Sequence, residues 1–293
     1  MDPFGPTVSH SRVSPARSIY CAYIEYEITS YEPSQMLRWF SRNDDIHKHL
    51  NVPTVQSEID KNKKKSGSVG SYSPAPGLLL IRKHVAQYLT ARDGVAANFN
   101  NIYLGSGASD LIKSVLTLFV EKVDGKPPGV MIPIPQYPLF SGTLSELGLQ
   151  QVDYYLDEDD GWVLKYEELE RSWRAASEHC SVRAIVVINP GNPTGQVLSR
   201  DNIEDIIRFA YKHNLFIVAD EVMHEMGDPF KKLQLSSFMT CSKGWAAECG
   251  LRAGVLELVS LEPRVISALE AARSTQQCAS VLGQCVVDCV VSQ

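Results

Sequence analysis

The chain lacks most signatures of a disulfide-bonded, metal-binding, nucleic-acid-binding or membrane protein. Its seven cysteines (Cys21, Cys180, Cys241, Cys249, Cys278, Cys285 and Cys289) are odd in number, scattered and never spaced Cys-x-x-Cys. Neither a disulfide framework nor a zinc ribbon is indicated, and a reducing compartment fits. Cys285 and Cys289 read as two buried thiols on a helix face. His224 and Glu225 begin like a zincin motif, but no second histidine follows at helical spacing, so no metal site is expected.

Positive charge is also short. Lys and Arg number 28 against 34 Asp and Glu, a net charge of −6, which gives no footprint for nucleic acid or an anionic membrane. The single basic run, Lys61 with Lys63, Lys64 and Lys65, has no interleaved aromatics and precedes Ser-Gly-Ser, so it reads as a solvated loop. No run approaches the ~20 apolar residues of a membrane span, and the first twenty residues carry no apolar core of a secretory signal. A cytoplasmic protein is expected. The Ser and Arg content leaves a mitochondrial presequence open, although Pro3, Pro6 and Pro15 oppose the amphipathic helix it needs.

What is present is globular: 293 residues, 44% hydrophobic and 21% charged, enough to bury roughly three quarters of the extended surface as one large domain or two smaller ones. Residues 1–65 hold turn formers and a Tyr-rich patch without a sustained period, and read as an irregular arm. From Ser66 onward the punctuation is regular. Ile102 to Leu104, Val130 to Ile134, Ala184 to Ile188, Leu215 to Ala219 and Val255 to Val259 are short runs rich in β-branched residues, as buried strands are. Between them, Leu111, Ile112, Val115, Leu116 and Phe119 recur at the helical period. Ile203, Ile206, Ile207, Phe209 and Ala210 do the same after an N-cap at Ser199. This alternation predicts an α/β fold with a mostly parallel central sheet, helices on both faces, and a ligand beyond the carboxyl ends of the strands.

Four motifs could carry chemistry. Gly105-Ser-Gly107-Ala-Ser109-Asp110 joins a strand to a helix, where glycines admit a ligand close to the backbone and free amides attract phosphate. A plain turn and a dinucleotide loop remain open here, although Asp110 replaces the last glycine of G-x-G-x-x-G. Asp124, near the distance of a ribose ligand, lies in a charged turn. Asn189-Pro-Gly-Asn192-Pro193-Thr-Gly195 packs two Asn-Pro pairs and two glycines into one loop, with Asn192 able to present an amide and Asn192-Pro193 a candidate cis bond. Asp220 closes the next strand with a carboxylate. Thr240-Cys-Ser-Lys243 and then Arg252 offer a hydroxyl, an amine and a guanidinium, able to bind phosphate and to condense with an aldehyde, although Lys243 taken alone reads as a surface lysine.

In this order the motifs resemble the fold type I pyridoxal-phosphate-dependent aminotransferases, the alanine aminotransferases most closely. The resemblance rests on Gly70-Ser-Tyr72-Ser, Arg92-Asp-Gly94, Gly107-Ala-Ser-Asp110, Met131-Ile-Pro-Ile-Pro-Gln-Tyr-Pro138, Tyr154-Tyr-Leu-Asp-Glu158, Asn189-Pro-Gly-Asn-Pro-Thr-Gly-Gln196, Ala219-Asp-Glu-Val222, Ser242-Lys-Gly-Trp and Glu248-Cys-Gly250. It spans Ser66 to Ser292 and implies that residues 66–293 form the large, cofactor-binding domain, with the small C-terminal domain missing.

The resemblance also implies roles. Lys243 would join the cofactor's aldehyde and later act as base, while Asp220 would hold the pyridine nitrogen protonated so that the ring accepts electrons. Tyr137 would stack on the ring and Asn192 would donate to its 3′ oxygen. The phosphate would be gripped by the backbone at Ala108 and Ser109, by Thr240 and by Arg252, with Tyr72 reaching the phosphate of a second copy in a homodimer. The implied reaction is amino transfer between L-alanine and 2-oxoglutarate. The alternatives are another oxo acid such as glyoxylate, a lyase outcome, or a shortened homologue without catalysis. Two departures accompany the match. Met223-His-Glu-Met226 follows where the family has a Tyr and an intervening segment, a shortening expected to disturb the sheet, and the chain stops before the arginine that pairs with the substrate carboxylate.

Overall fold

Each of the five apolar runs is a strand of one seven-stranded sheet in the computed structural model, which describes residues 71–220, 233–243 and 249–292. The strands are β1 (Ile102–Gly105), β2 (Pro128–Ile134), β3 (Gln150–Tyr155), β4 (Ser181–Ile188), β5 (Phe216–Asp220), β6 (Leu235–Thr240) and β7 (Gly254–Val259). Their spatial order is β1-β7-β6-β5-β4-β2-β3, and four of the six pairings are parallel. The two antiparallel pairings both involve β7. The expected 1–65 arm, the Lys61 to Lys65 run and His224 with Glu225 lie outside the described residues, as does the first compact unit of the chain, Met1–Val52. The second, Pro53–Gln293, holds everything below.

Seven α-helices among the described residues cover the sheet: α1 (Leu79–Asp93), α2 (Ala108–Leu116), α3 (Leu139–Leu147), α4 (Tyr166–Ser177), α5 (Arg200–Lys212), α6 (Pro263–Ser274) and α7 (Val281–Val291). The strand period of two sorts the core. On β4, Ala184, Val186 and Ile188 join a cluster with Leu111, Ile112 and Val115 of α2, Phe140 of α3 and Leu269 of α6. Ile185 and Val187 face the other way, against Leu169 of α4 and Ile206, Ile207 and Phe209 of α5. A third cluster packs Ile81, Val85 and Leu89 of α1 and Val286, Val287 and Val291 of α7 on Ile102, Leu104 and Val255. Full burial of each such side chain contributes about 1.5–3 kcal/mol, against about 0–1 for an exposed pair such as Lys113–Glu146, so these clusters hold the helices to the sheet.

Ser199 caps α5 as expected, its hydroxyl accepting from Asn202 N at 3.2 Å. Val123 to Lys126 is a turn, bridged by mutual backbone hydrogen bonds with Asp124 at φ 51°, and not a ribose-binding strand end. Cys285 and Cys289 are buried on α7, and Cys180, Cys241, Cys249 and Cys278 are free thiols. No helix among the described residues is long and apolar enough to cross a membrane.

One expectation is corrected. The connection after Asp220 does not disturb the sheet: β6 pairs directly with β5 in parallel, Asp220 opposite Phe238, and β6 pairs in turn with β7. Two strands have no apolar run to announce them. β3 is an edge strand with only Val152 and Tyr154 buried, and β6 reads Leu-Ser-Ser-Phe-Met-Thr, burying Ser236 and Ser237 between two neighbours.

Candidate functional site

Topology gathers the motifs at one edge. The parallel pairings place the carboxyl ends of β2 (Ile134), β4 (Ile188), β5 (Asp220) and β6 (Thr240) together. Because β7 runs against both β6 and β1, its first residue, Gly254, stands opposite Thr240 on one side and Gly105 on the other. The glycine loop, the Asn-Pro loop and the segments bearing Lys243 and Arg252 therefore leave from or enter at this edge, where open α/β sheets bind ligands.

The glycine loop follows β1. Gly107 occupies the N-cap of α2 at φ 92° with no side-chain cap, which leaves the first amides of the helix, at Ala108 and Ser109, to a ligand. A Cβ on Gly254 would lie 2.7 Å from Ala108 N, so glycine at the start of β7 is what lets the strand reach this helix end. Arg252 arrives from the same side. Its Nη2 donates to Ser109 Oγ at 3.0 Å and to the Ser106 carbonyl at 3.2 Å, and its Nη1 to the Cys249 carbonyl at 3.3 Å. Helix dipole, free amides and guanidinium thus converge on one spot, an arrangement suited to a dianion.

The turn from β6 carries the amine. Thr240 Oγ1 accepts from Ser242 N at 3.1 Å and donates to the Ala253 carbonyl at 3.4 Å, so part of its bonding capacity shapes the turn that presents Lys243. Ser242 Oγ is buried without a hydrogen-bond partner among the described residues, a feature sequence reasoning missed. Burial pushes the Cys241 thiol up to about 11, which keeps it neutral and unreactive beside the amine. Lys243 Nζ lies 5.7 Å from the centroid of the Tyr137 ring, which comes from the loop after β2.

Asn192 stands in the loop after β4, held by Gly191 N to the Gln196 carbonyl (2.8 Å) and by Leu198 N to Asn189 Oδ1 (2.9 Å). Asn192-Pro193 is cis as anticipated, as are Asn189-Pro190 and Ile134-Pro135. Asp220 is half-buried, and its carbonyl accepts from Asn189 N at 3.2 Å, tying the ends of β5 and β4 together. Tyr72 lies 79% exposed, with no partner side chain from this site among the described residues.

A model of the family "Aminotransferase class I and II" matches residues 40–291. Alanine aminotransferase 1 of Bos taurus is 46% identical over 245 residues, covering 77% of this chain and 49% of the relative. Glutamate–glyoxylate aminotransferase 1 of Arabidopsis thaliana is 42% identical over 221 residues, 69% of this chain and 45% of the relative. Among solved structures, an aminotransferase from Escherichia coli superposes with a TM-score of 0.69 at 26% identity, over 82% of this chain and 60% of that one. The chain spans about half the length of these curated relatives.

Proposed function

The chain belongs to the class I and II aminotransferases, and from that premise we propose that it binds pyridoxal 5′-phosphate at the carboxyl edge of the sheet and transfers an amino group between L-alanine and 2-oxoglutarate. The observation that carries the reading is the hairpin between β6 and β7: Thr240 and Gly254 face each other, and just beyond them stand Lys243, over the Tyr137 ring, and Arg252, on the glycine loop. The residues present fit the cofactor. An uncapped helix start, a guanidinium beside it and a buried hydroxyl without a partner are what a phosphate requires, and an amine over an aromatic ring is what a flat aldehyde requires.

When bound, pyridoxal phosphate supplies an aldehyde that condenses with amines and a pyridinium ring that takes up electron density from substrate Cα. The protein does the rest. Ala108 and Ser109 amides, Thr240, Ser242 and Arg252 would hold the phosphate; Tyr137 would cover the ring; Asn192 would donate to the 3′ oxygen; and the Asp220 carboxylate would keep the ring nitrogen protonated. Lys243 Nζ would fix the cofactor covalently and, once released, accept the proton lost from substrate Cα. Tyr72, on the exposed surface, would reach the phosphate of a second copy, making the chain a homodimer. The free thiols of Cys180, Cys241, Cys249 and Cys278 suit the reducing cytoplasm this reading expects.

The Arabidopsis relative supports glyoxylate as a second acceptor. The test is pyruvate release from L-alanine after loading with pyridoxal phosphate, with 2-oxoglutarate and glyoxylate compared. Release that depends on acceptor supports the reading, and a chain that takes up no pyridoxal phosphate overturns it.

A further inference from the structure

Arg273, on α6, belongs to none of the motifs that point to the site, yet it is only 5% exposed and frames the glycine loop from behind. Its Nη2 donates to the Leu104 carbonyl at the end of β1 (3.1 Å), and its Nη1 to Ser114 Oγ on α2 (3.0 Å). Ser114 Oγ donates in turn to the Asp110 carbonyl at 2.8 Å, and the guanidinium stands 3.7 Å from Asp110 Oδ2. That carboxylate accepts from Ser106 N at 3.0 Å, and the Ser106 carbonyl receives Arg252. A continuous path therefore runs from Arg273 through Asp110 and Ser106 to Arg252.

The charges along this path decide its role. A carboxylate in the first turn of α2 suits the helix dipole, but it opposes any anion that uses the same helix end. Arg273 turns two of its nitrogens inward, Nη1 to Ser114 and Nη2 to Leu104 beside Asp110, while its Nε is buried with no hydrogen-bond partner among the described residues. It can cancel the Asp110 charge. The hydrogen-bond partners of Arg252 among the described residues, Ser106, Ser109 and Cys249, are neutral, so its charge stays available. We propose that Arg273 and Asp110 form a positioning pair for the phosphate cradle: Asp110 orients the Ser106 peptide that carries Arg252, and Arg273 removes the repulsion Asp110 would exert on a dianion. The inference rests on reading this edge as a phosphate site.

The test compares pyridoxal 5′-phosphate, pyridoxal and inorganic phosphate on the full chain, wild type against Arg273→Met, Asp110→Asn and the double variant. Arg273→Met weakens both phosphate-bearing ligands by about ten- to a hundredfold, the scale of one charge-assisted contact, and leaves pyridoxal unchanged. Asp110→Asn, which keeps an oxygen for Ser106 N, restores phosphate binding in the double variant. If Arg273→Met does not fold, Arg273→Gln carries the same comparison. Equal loss of all three ligands, no loss, or no rescue by Asp110→Asn overturns the inference. Wild type that binds inorganic phosphate but no pyridoxal phosphate overturns the proposed function and leaves this pair to be decided by the phosphate series; wild type that binds neither overturns both.

Discussion

Gly107 lies so close to Arg252 that a methyl group on its Cα would stand 2.4 Å from Nη2. The contact is possible because residue 107 has no Cβ and sits at φ 92°, where side chains are strained. Gly107→Ala must therefore either push the guanidinium off Ser109 and Ser106 or distort the start of α2. A destabilisation of about 1–3 kcal/mol is expected by chemical denaturation, together with weaker binding of inorganic phosphate by calorimetry.

Ser242→Ala separates ligand binding from folding. The Ser242 hydroxyl is buried with no hydrogen-bond partner among the described residues, so its removal leaves the ligand-free Tm unchanged or slightly raised. Affinity for pyridoxal phosphate falls by several-fold, since a hydroxyl kept for a ligand contributes ~0.5–1.5 kcal/mol. A drop in ligand-free Tm would show that the hydroxyl serves the fold.

Glu257 gives a pH dependence. It is buried in β7; burial first, and then the charge of Asp93, raise its carboxyl from 4.5 to about 7, with Arg92 opposing. A carboxyl raised on folding contributes stability that is complete below pH 4.5 and is lost as pH rises through about 7. Wild-type stability should fall across that window by more than that of Glu257→Gln, which cannot ionise. Parallel curves for the two proteins in urea between these pH values would contradict the assignment.

Ser199→Ala tests the local reading of α5. It removes the hydroxyl that accepts from Asn202 N and should cost about 1 kcal/mol, whereas Ser199→Gly should cost only a few tenths. Guanidinium melts of the three proteins give the comparison.

The sequence is most legible where one force dominates. Val130 to Ile134 and Ala184 to Ile188 are covered on both faces and so are apolar throughout, and α2 and α5 show their period because one side of each meets the core. Edge and pairing relations leave weaker traces. β3 alternates only at Val152 and Tyr154, and β6 buries two serines because its neighbours satisfy its backbone, so neither reads as an apolar run. In the candidate site, Asp220 and Asn192 are legible because each ends or follows a strand, whereas Lys243 and Arg252 stand out only together with Thr240 and take their roles from the resemblance. The Arg273–Asp110 pair is not, because 163 residues separate its members, and only the packing of α6 behind α2 brings them together.

The central claim is that the amine of Lys243 is the group that captures the cofactor. The most direct measurement incubates the purified chain with pyridoxal phosphate, reduces it with borohydride and maps the labelled peptide by mass spectrometry. The account predicts one pyridoxyl label, on Lys243, absent from Lys243→Ala; a label elsewhere, or none, would contradict it.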